Sequence, residues 1–241
     1  MSASHRYAML VTSLPHHGAL FGTRQPPLSR IRLRQRQRLL DEKDRASLRV
    51  VANLLEWSRQ RMEHSDAEII AQARAELPKL DNVFARDLVV WQLELRTVVA
   101  ALRRRQRGQA APAYRDSWGF GRWMGYIRRH WNEPQFCLER VYPWLAEART
   151  MLETGDALGL ERLLLNAVWE HLDRVAEGHH FDFEAVLIYS VRWDLVACWT
   201  GCRGEEALLR FEEMVREGLE EVMSEQDVLP ETLGNGLLAG D

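Results

Sequence analysis

The longest periodic stretch of the chain, residues 82–108, decides the fold and reads NVFARDLVVWQLELRTVVAALRRRQRG. Its apolar side chains recur every three or four residues, which places them on one face of an α-helix. This stripe consists of Leu88, Trp91, Leu95, Val98, Val99 and Leu102. The arginines at 103–105 lie in the last predicted turn, where positive charge complements the helix dipole, and Gly108 follows as a stop signal. We therefore predict a helix from Asn82 to about Arg105.

Segments on both sides of this helix show the same period, and each begins at a residue that favours helix N-caps. The predicted starts are Ser29, Asp41, Ser65, Asp156 and Asp182, and one more acidic helix is predicted over residues 204–224. The run YAMLVTSL at residues 7–14 fits a strand or a helical turn equally well. The predicted fold is therefore an all-α, multi-helix bundle of antiparallel helices, with a short extended segment at the N-terminus as the alternative.

A polar segment between the predicted helices is the best candidate for a domain boundary, because boundaries fall in exposed, polar linkers. It covers residues 109–117 and contains Pro112. The predicted order is an N-terminal helical region at 1–108, this linker, a C-terminal helical region at 118–228 and a Gly-rich flexible tail at 229–241.

The composition is that of a globular protein whose positive charge is almost entirely arginine. Of the 241 residues, 46% are hydrophobic and 28% charged, and the net charge is -3; this balance permits a sizeable core. Lysine occurs only at Lys43 and Lys79. No run of about 18 apolar residues exists to span a membrane, and no signal-type apolar core follows the first residues. We therefore expect a cytoplasmic protein whose cysteines, Cys137, Cys198 and Cys202, are reduced thiols.

The common sequence motifs of enzyme active sites are missing from the chain. It has no GxxxxGK[ST] loop for phosphates, no GxGxxG, no GxSxG and no HExxH. Helical enzymes usually need a recognisable metal or cofactor constellation. We therefore predict a protein without enzymatic activity, cofactor or small-molecule substrate, which works by binding other proteins.

The strongest metal candidate is the sequence EGHH at residues 177–180. Glu177 and His180 form one Glu-x-x-His step of the kind that di-iron bundles use, with His179 between them, but that chemistry needs two such steps and two further glutamates. Gly178 also interrupts the helix that would present the ligands. We interpret the segment as a polar turn, and a helical metal-binding protein using Glu177, His179 and His180 is an alternative function.

Two further pairs of residues have a structural interpretation. Cys198 and Cys202 lie one helical turn apart and could share a soft metal or form a redox pair, but third and fourth ligands at suitable spacing are missing. Burial as small apolar side chains is the favoured interpretation. His16 and His17 stand in a loop beside Gly18, where we expect a solvated pair.

The sequence RIRLRQRQR at residues 30–38 holds arginine at every second position. This alternation is typical of a strand, but the cap at Ser29 and the shortage of β-branched residues favour a helix. Three interpretations compete: a solvated helix face, a contact with an acidic protein, and nucleic-acid binding. The last is the least favoured, because the run contains no aromatic stacking partner and the whole chain is acidic.

Several short segments resemble an uncharacterised bacterial family whose genes lie among those of V/A-type ATPases. They are YAMLVTSLP at 7–15 with Pro26 and Pro27, YPWL at 142–145, LETGD at 152–156, LERLL at 160–164 and FDFEAVL at 181–187. Together they extend over nearly the whole chain, and none of these segments is catalytic.

The long helix is similar to one in the socket subunit of the central stalk in the same ATPases, which is lettered C, or d in eukaryotes. Leu95-Arg96-Thr97 and Leu102-Arg103-Arg104, followed by Gly108, are similar to its pattern NLR…LR.K..G, with Glu94 in place of asparagine and arginine in place of lysine. The socket subunit is a funnel-shaped helical protein between the rotor shaft and the membrane proteolipid ring. The resemblance implies a stiff adaptor that passes torque and is peripheral to the inner membrane through protein contacts.

Residues and resemblance together predict a non-catalytic coupler of the central stalk in ion transport, similar to the socket subunit. Its expected partners are the rotor shaft and the proteolipid ring, without nucleic acid; a transient assembly or regulatory factor of the same ATPase is the alternative. The residues expected to contact these partners, chosen by charge alone, are Arg30, Arg32, Arg34, Arg36, Arg38, Arg96, Arg103, Arg104 and Arg105.

Overall fold

Helices are the regular secondary structure throughout the part of the chain that the structure describes. The computed structural model describes residues 3–55, 66–114, 116 and 118–201, and no strand occurs within these ranges. The predicted all-α, multi-helix fold is confirmed. The chain divides into two compact units, Met1–Trp199 and Thr200–Asp241, and nearly all of the described residues belong to the first.

Nine α-helices lie within the described residues. In chain order they are α1 (Ala3–Thr12), α2 (Arg30–Gln37), α3 (Glu42–Leu55), α4 (Asp66–Glu76), α5 (Val83–Gln106), α6 (Trp123–Arg129), α7 (Leu145–Thr154), α8 (Ala157–Val175) and α9 (183–201). A short 3-10 helix, Leu77–Lys79, follows α4 where the sequence places Pro78. Among the described helices, none is at once long enough and apolar enough to cross a membrane.

The central helix α5 follows the prediction closely. The side chain of Asn82 accepts a hydrogen bond from the backbone N–H of Ala85 at 2.8 Å, which caps the helix. Gly108 follows the helix with a φ of 69°, a conformation that suits glycine. The predicted stripe is buried at Leu88, Leu95, Val98, Val99 and Leu102. Helix α5 packs against α3, α6 and α7, so it forms the middle of the bundle.

The other predicted caps can be checked wherever they lie in the described residues. Four of them accept a hydrogen bond from the backbone N–H three residues ahead: Ser29 at 3.4 Å, Asp41 at 2.9 Å, Asp156 at 2.8 Å and Asp182 at 2.9 Å. These helix starts are therefore confirmed. Ser65, the acidic helix predicted at 204–224, the tail at 229–241 and Cys202 lie outside the described residues.

The N-terminal run that suited either a strand or a helical turn is a helix, α1, and the extended alternative is wrong. Leu10 is fully buried in the core, and the Tyr7 hydroxyl donates a hydrogen bond to the carboxylate of Asp44 on α3. The helical conformation places both side chains on the face that meets the rest of the bundle, because residues three apart share a helix face.

One large apolar cluster holds residues from both predicted helical regions, including Leu54 of α3, Leu95 of α5 and Leu165 of α8. The segment 109–117, predicted as a linker, lies inside the unit Met1–Trp199. A second, smaller cluster consists of Leu28, Leu33 and Trp193, and joins α2 to α9. Helix α2 is therefore stabilised by a much smaller apolar contact than α5.

Candidate functional site

The arginines at the end of α5 separate into two groups according to their helical phase. Successive residues of an α-helix are rotated by about 100°. Arg96, Arg103 and Arg107 therefore lie within about 40° of one another, and Arg104 lies about 80° from Arg96. Arg105, nine residues after Arg96, points to the opposite side of the helix, about 180° away. The structure follows this division.

Arg96, Arg103, Arg104 and Arg107 line a cleft of about 760 Å³ beside α5. The opposite wall comes from the end of α7, the turn after it and the start of α8, and Ile69 of α4 also contributes. The other described lining residues are Leu95, Val99, Ala100, Gln109, Met151, Leu152, Gly155, Asp156, Ala157, Leu160, Glu161 and Leu164. A volume of this size is within the range of ligand-binding clefts in proteins.

Part of the lining of the cleft consists of aliphatic side chains. Leu95 and Val99 of α5 face Leu160 and Leu164 of α8, and each of the four is at most 5% exposed because it also belongs to the core. The guanidinium groups lie beside this apolar surface. The described lining of the cleft therefore combines guanidinium groups with aliphatic side chains that are mostly buried in the core.

The cleft also contains two carboxylates, both with hydrogen-bond donors from the protein. Asp156 accepts from the backbone N–H of Gly159 at 2.8 Å and caps α8. Glu161 is buried and accepts from the Cys198 thiol at 3.8 Å. Both carboxylates lie on the α8 side, whereas all four arginines follow the α5 side. Among the described lining residues, the two signs of charge thus lie on opposite sides of the cleft.

Arg105 serves the fold on the other side of α5. Its guanidinium donates hydrogen bonds to the carbonyl oxygens of Trp131, Glu133 and Pro134, the last at 2.6 Å, and lies 4.9 Å from the ring centre of Phe136. Burial lowers the pKa of this guanidinium. Arg105 therefore fixes the segment after α6 against α5, and lies away from the cleft.

The arginines of α2 spread around a helix whose apolar side is already covered. Arg30 pairs with Asp194 at 3.5 Å and lies 5.2 Å from the ring centre of Trp193. The indole N–H of Trp193 in turn donates to the carbonyl of Leu28 at 2.8 Å. Further along, Arg36 is half-buried, and the exposed arginines are Arg32, Arg34 and Arg38. The helix therefore rests on a small apolar contact, and most of its arginines are exposed.

The polar contacts that α5 makes with the loop 118–122 were not predicted from the sequence. The carboxylate of Glu94 is buried, accepts from the backbone N–H of Arg122 at 2.9 Å and lies 3.4 Å from its Nε. The hydroxyl of Thr97 accepts from the backbone N–H of Phe120 at 2.7 Å. A Cβ on Gly119 would collide with the Thr97 methyl. These contacts hold the loop 118–122 against α5, so the glutamate in place of asparagine has a structural role.

Arg107 and the α8 wall of the cleft were also absent from the predicted set. A signal for Arg107 existed, because it follows Arg103 by four residues and so shares its helix face. No comparable signal existed for Leu160 and Leu164, because their packing beside α5 depends on the tertiary fold.

Glu177, His179 and His180, which the alternative hypothesis of a metal-binding protein would use, are not grouped as ligands among the described residues. Instead, the described residues contain one group with ligand atoms within 4.8 Å of each other, namely His179, Asp182 and Glu184. His179 Nδ1 lies 2.7 Å from Asp182 Oδ2, and Glu184 accepts from the Asn82 side chain at 2.8 Å. Since Asp182 and Asn82 cap α9 and α5, these hydrogen bonds join two helix starts.

His17 is buried, so the prediction of a solvated pair is wrong for it, and His171 is half-buried. His17 Nε2 lies 3.1 Å from the carbonyl oxygen of Tyr189, and its ring centre is 4.0 Å from the tyrosine ring. His171 stacks on Trp91 with ring centres 3.5 Å apart. Burial lowers the pKa of each imidazole to about 4. The loop that holds His17 folds back onto α9, which its composition did not indicate.

The cysteines that can be checked are thiols, as predicted, with Cys137 exposed and Cys198 buried. Comparison with known proteins gives no match for this chain among family models, curated proteins or solved structures.

Proposed function

We propose that the protein is a non-catalytic component of a bacterial V/A-type rotary ATPase, a coupler between the rotor shaft and the proteolipid ring that is similar to the socket subunit. The observation that carries this proposal is the cleft. Four of the residues that carry the resemblance to the socket subunit, Leu95, Arg96, Arg103 and Arg104, line it. A segment that is similar in sequence to a stalk protein thus also forms a surface suited to binding.

The chemistry of the cleft favours binding over catalysis. Its described lining supplies guanidinium groups, aliphatic side chains and two carboxylates that already accept hydrogen bonds within the protein. Guanidinium groups bind carboxylates through paired hydrogen bonds, and aliphatic walls bury apolar side chains. This combination fits the surface of another protein.

The packing of α5 suits a part that transmits force. The helix has 24 residues and is therefore about 36 Å long. It is in contact with α3, α6 and α7, and its apolar stripe lies in the main core. A close-packed interior has low compressibility and transmits strain. We propose that α5 is the stiff element along which the coupler carries load.

The proposed location of the protein in the cell follows from its proposed partners, the rotor shaft and the proteolipid ring. It would be cytoplasmic and peripheral to the inner membrane, bound there through the rotor shaft and the proteolipid ring. A transient assembly or regulatory factor of the same ATPase would use the same surface.

Purification of the tagged chain from its own host, with mild detergent, tests the proposal. We expect the rotor shaft and the ring proteins to copurify, with one copy of this chain per intact ATPase by quantitative mass spectrometry. A much lower ratio, confined to incomplete complexes, would favour the assembly factor. A preparation without ATPase proteins, from cells in which the ATPase assembles normally, would contradict both versions.

A further inference from the structure

We propose that α2 is a lipid-binding helix, whose exposed side lies on the surface of an anionic phospholipid bilayer. The proposed function brings the protein to the membrane through protein contacts alone. This inference goes beyond it by adding a direct contact between α2 and the lipid headgroups, and that contact requires no ATPase.

The N-terminal part of the chain is strongly basic, although the net charge of the protein is -3. Residues 1–40 contain seven arginines and no aspartate or glutamate, and five of these arginines lie at positions 30–38. Anionic lipids attract clusters of basic side chains on amphipathic helices. The charge of this segment is therefore complementary to an anionic bilayer surface.

Three arginines of this segment are available to a partner. Arg32, Arg34 and Arg38 are exposed, and their side chains make no ion pair or hydrogen bond with another described residue. Arg30 does not belong to this set, because it pairs with Asp194 at 3.5 Å. The outer side of α2 therefore has positive charge that the described part of the protein does not neutralise.

The carboxylates that follow α2 in the sequence have other partners. Asp41 caps α3 by accepting from the backbone N–H of Asp44 at 2.9 Å. Glu42 pairs with Arg49 at 2.9 Å and with Arg45 at 3.0 Å. These two carboxylates therefore leave the positive charge of α2 in place.

Two aliphatic side chains are exposed among these arginines, Ile31 at 70% and Leu39 at 43%. Ile31 lies about 160° around the helix from Leu33, which is buried in the small cluster, so Ile31 points away from the protein. Arg34 lies about 60° from Ile31 on one side, and Arg32 lies about 100° from it on the other. An outward aliphatic side chain with arginines on both sides suits a helix that lies at a membrane surface.

This arrangement fits a bilayer better than it fits a nucleic acid or an acidic protein. Headgroup phosphates lie above the acyl chains, so Ile31 can reach the acyl boundary while the guanidinium groups stay among the phosphates. A nucleic-acid backbone has no apolar layer for Ile31, and residues 30–39 have no aromatic side chain on which bases could stack. Paired hydrogen bonds to the carboxylates of one protein segment need guanidinium groups that point the same way, whereas Arg32 and Arg34 diverge.

Cosedimentation of the purified full chain with lipid vesicles tests the inference. One set of vesicles contains phosphatidylcholine alone, and the other contains phosphatidylcholine mixed with the anionic lipid phosphatidylglycerol. We expect the chain to bind the anionic vesicles at least about tenfold more tightly than the neutral ones at low ionic strength, and less tightly as salt is added, because salt screens the charges. Equal binding to both kinds of vesicle, or binding to neither, would overturn the inference.

Charge reversal shows whether α2 makes the contact. Arg32→Glu combined with Arg34→Glu should lower the affinity for the anionic vesicles at least about tenfold, because two attractive charges become repulsive. The matched control is Arg129→Glu with Arg140→Glu, which reverses two other exposed arginines and changes the net charge equally. Equal losses from the two double variants would show that net charge alone governs binding, and would overturn the inference.

A milder variant keeps this test valid if the charge-reversed chain does not fold. Arg32→Gln with Arg34→Gln removes both charges and should lower the affinity for the anionic vesicles by a smaller factor, about threefold or more. Unfolding temperatures equal to that of the original protein show that the fold is kept. A folded neutral variant that binds as tightly as the original would contradict the role of α2.

Two further measurements separate a lipid surface from a simple polyanion. Ile31→Ser should lower the affinity for the anionic vesicles about threefold, because less apolar surface leaves water. Val141→Ser, at a residue that is 46% exposed, should leave the affinity unchanged. Equal effects of the two changes, or release of the chain from the vesicles by duplex DNA at the same phosphate concentration, would overturn the inference.

The outcome is distinct from that of the proposed function. Vesicle binding through α2 by a chain with which no ATPase protein copurifies would support this inference and contradict the proposed function. Copurification of the ATPase with a chain that does not bind anionic vesicles would do the reverse.

Discussion

Two arginine-rich helices, α2 and α5, look alike in sequence and differ in the surface that they form. On α2 the arginines are two residues apart, so neighbours differ by about 200° and point to opposite sides of the helix. On α5 the steps of seven and four residues bring Arg96, Arg103 and Arg107 to one side. The α5 row lines the cleft, whereas the α2 arginines surround a helix whose apolar side packs on Trp193.

The difference shows that the number of arginines in a run does not determine how many of them share one face of the helix. The helical phase of the arginines determines it. Arg105 illustrates the same rule within α5, since it is adjacent in sequence to Arg104 and yet is bound to the carbonyl groups of 131–134. The predictions below test this comparison between the two helices.

The largest expected effect concerns the packing of the two helices. Leu95→Ala in the main core should lower the free energy of unfolding by about 4 kcal/mol, because the cavity cannot collapse among so many neighbours. Leu33→Ala should cost about 2 kcal/mol, at the low end for such changes, since α2 rests on a small cluster. Urea unfolding of both variants checks the order; equal losses would show that α2 is integrated as firmly as α5.

The pH dependence of stability is the next effect, because the half-buried His171 packs against α5 and the buried His17 lies near the small cluster under α2. His171 packs on Trp91 of α5, and His17 packs on Tyr189, which contacts the small cluster under α2. Both have a pKa of about 4 in the fold, below the 6.5 of an exposed imidazole. From about pH 6.5 down to pH 4 the unfolded chain binds protons that the folded chain does not, so acid lowers stability there.

The slope of the free energy of unfolding against pH should be at most about 1.4 kcal/mol per pH unit for each histidine. This slope should vanish above pH 7. His171→Phe and His17→Phe should each remove part of this dependence of stability on pH. Urea unfolding at several pH values measures the change. Direct titration of the two imidazoles by NMR provides a control. An imidazole that titrates near pH 6.5 in the folded protein would contradict its burial.

A smaller effect is expected on the polar face of α5. Thr97→Val removes the acceptor of the Phe120 N–H and should destabilise by about 1.5 kcal/mol, because a buried donor is left unsatisfied. Thr154→Val, at the exposed end of α7, is the matched control and should change stability by less than about 0.5 kcal/mol. Thermal unfolding would reveal any loss; equal changes would mean that the loop 118–122 is not held through Thr97.

The smallest expected effects separate the arginines that serve the fold from those that face solvent. Arg105→Ala should cost about 1 kcal/mol, since three carbonyl groups lose their donor. Arg34→Ala on α2 should stay within about 0.5 kcal/mol, as is usual for exposed side chains. Urea unfolding measures both, and a larger loss for Arg34 would reverse the roles assigned to the two helices.

Local signals in the sequence predicted much of the fold. Cap residues such as Ser29 and Asp156 determine helix starts through hydrogen bonds three residues away, so they can be recognised without the tertiary structure. The arginines of the cleft were also within reach, and helical phase alone separates Arg105 from its neighbours.

The remaining features depend on contacts between distant segments. The burial of His17 requires α9 to lie over its loop, and its partner Tyr189 is 172 residues away in sequence. His179 pairs with the capping residue Asp182, so Glu177 and His180 take no part in its cluster. The second wall of the cleft belongs to α8. None of these neighbours could be deduced from periodicity or spacing.

The most direct test of the central claim is quantitative copurification of the rotary ATPase with three forms of the tagged chain. They are the original protein, the double variant Arg104→Glu with Arg107→Glu, and the double variant Arg32→Glu with Arg34→Glu, all at equal expression and with equal unfolding temperatures. We predict that the cleft variant loses at least about nine-tenths of the bound ATPase and that the α2 variant keeps it. Full retention by the cleft variant, or loss by the α2 variant alone, would contradict the proposed role of the cleft.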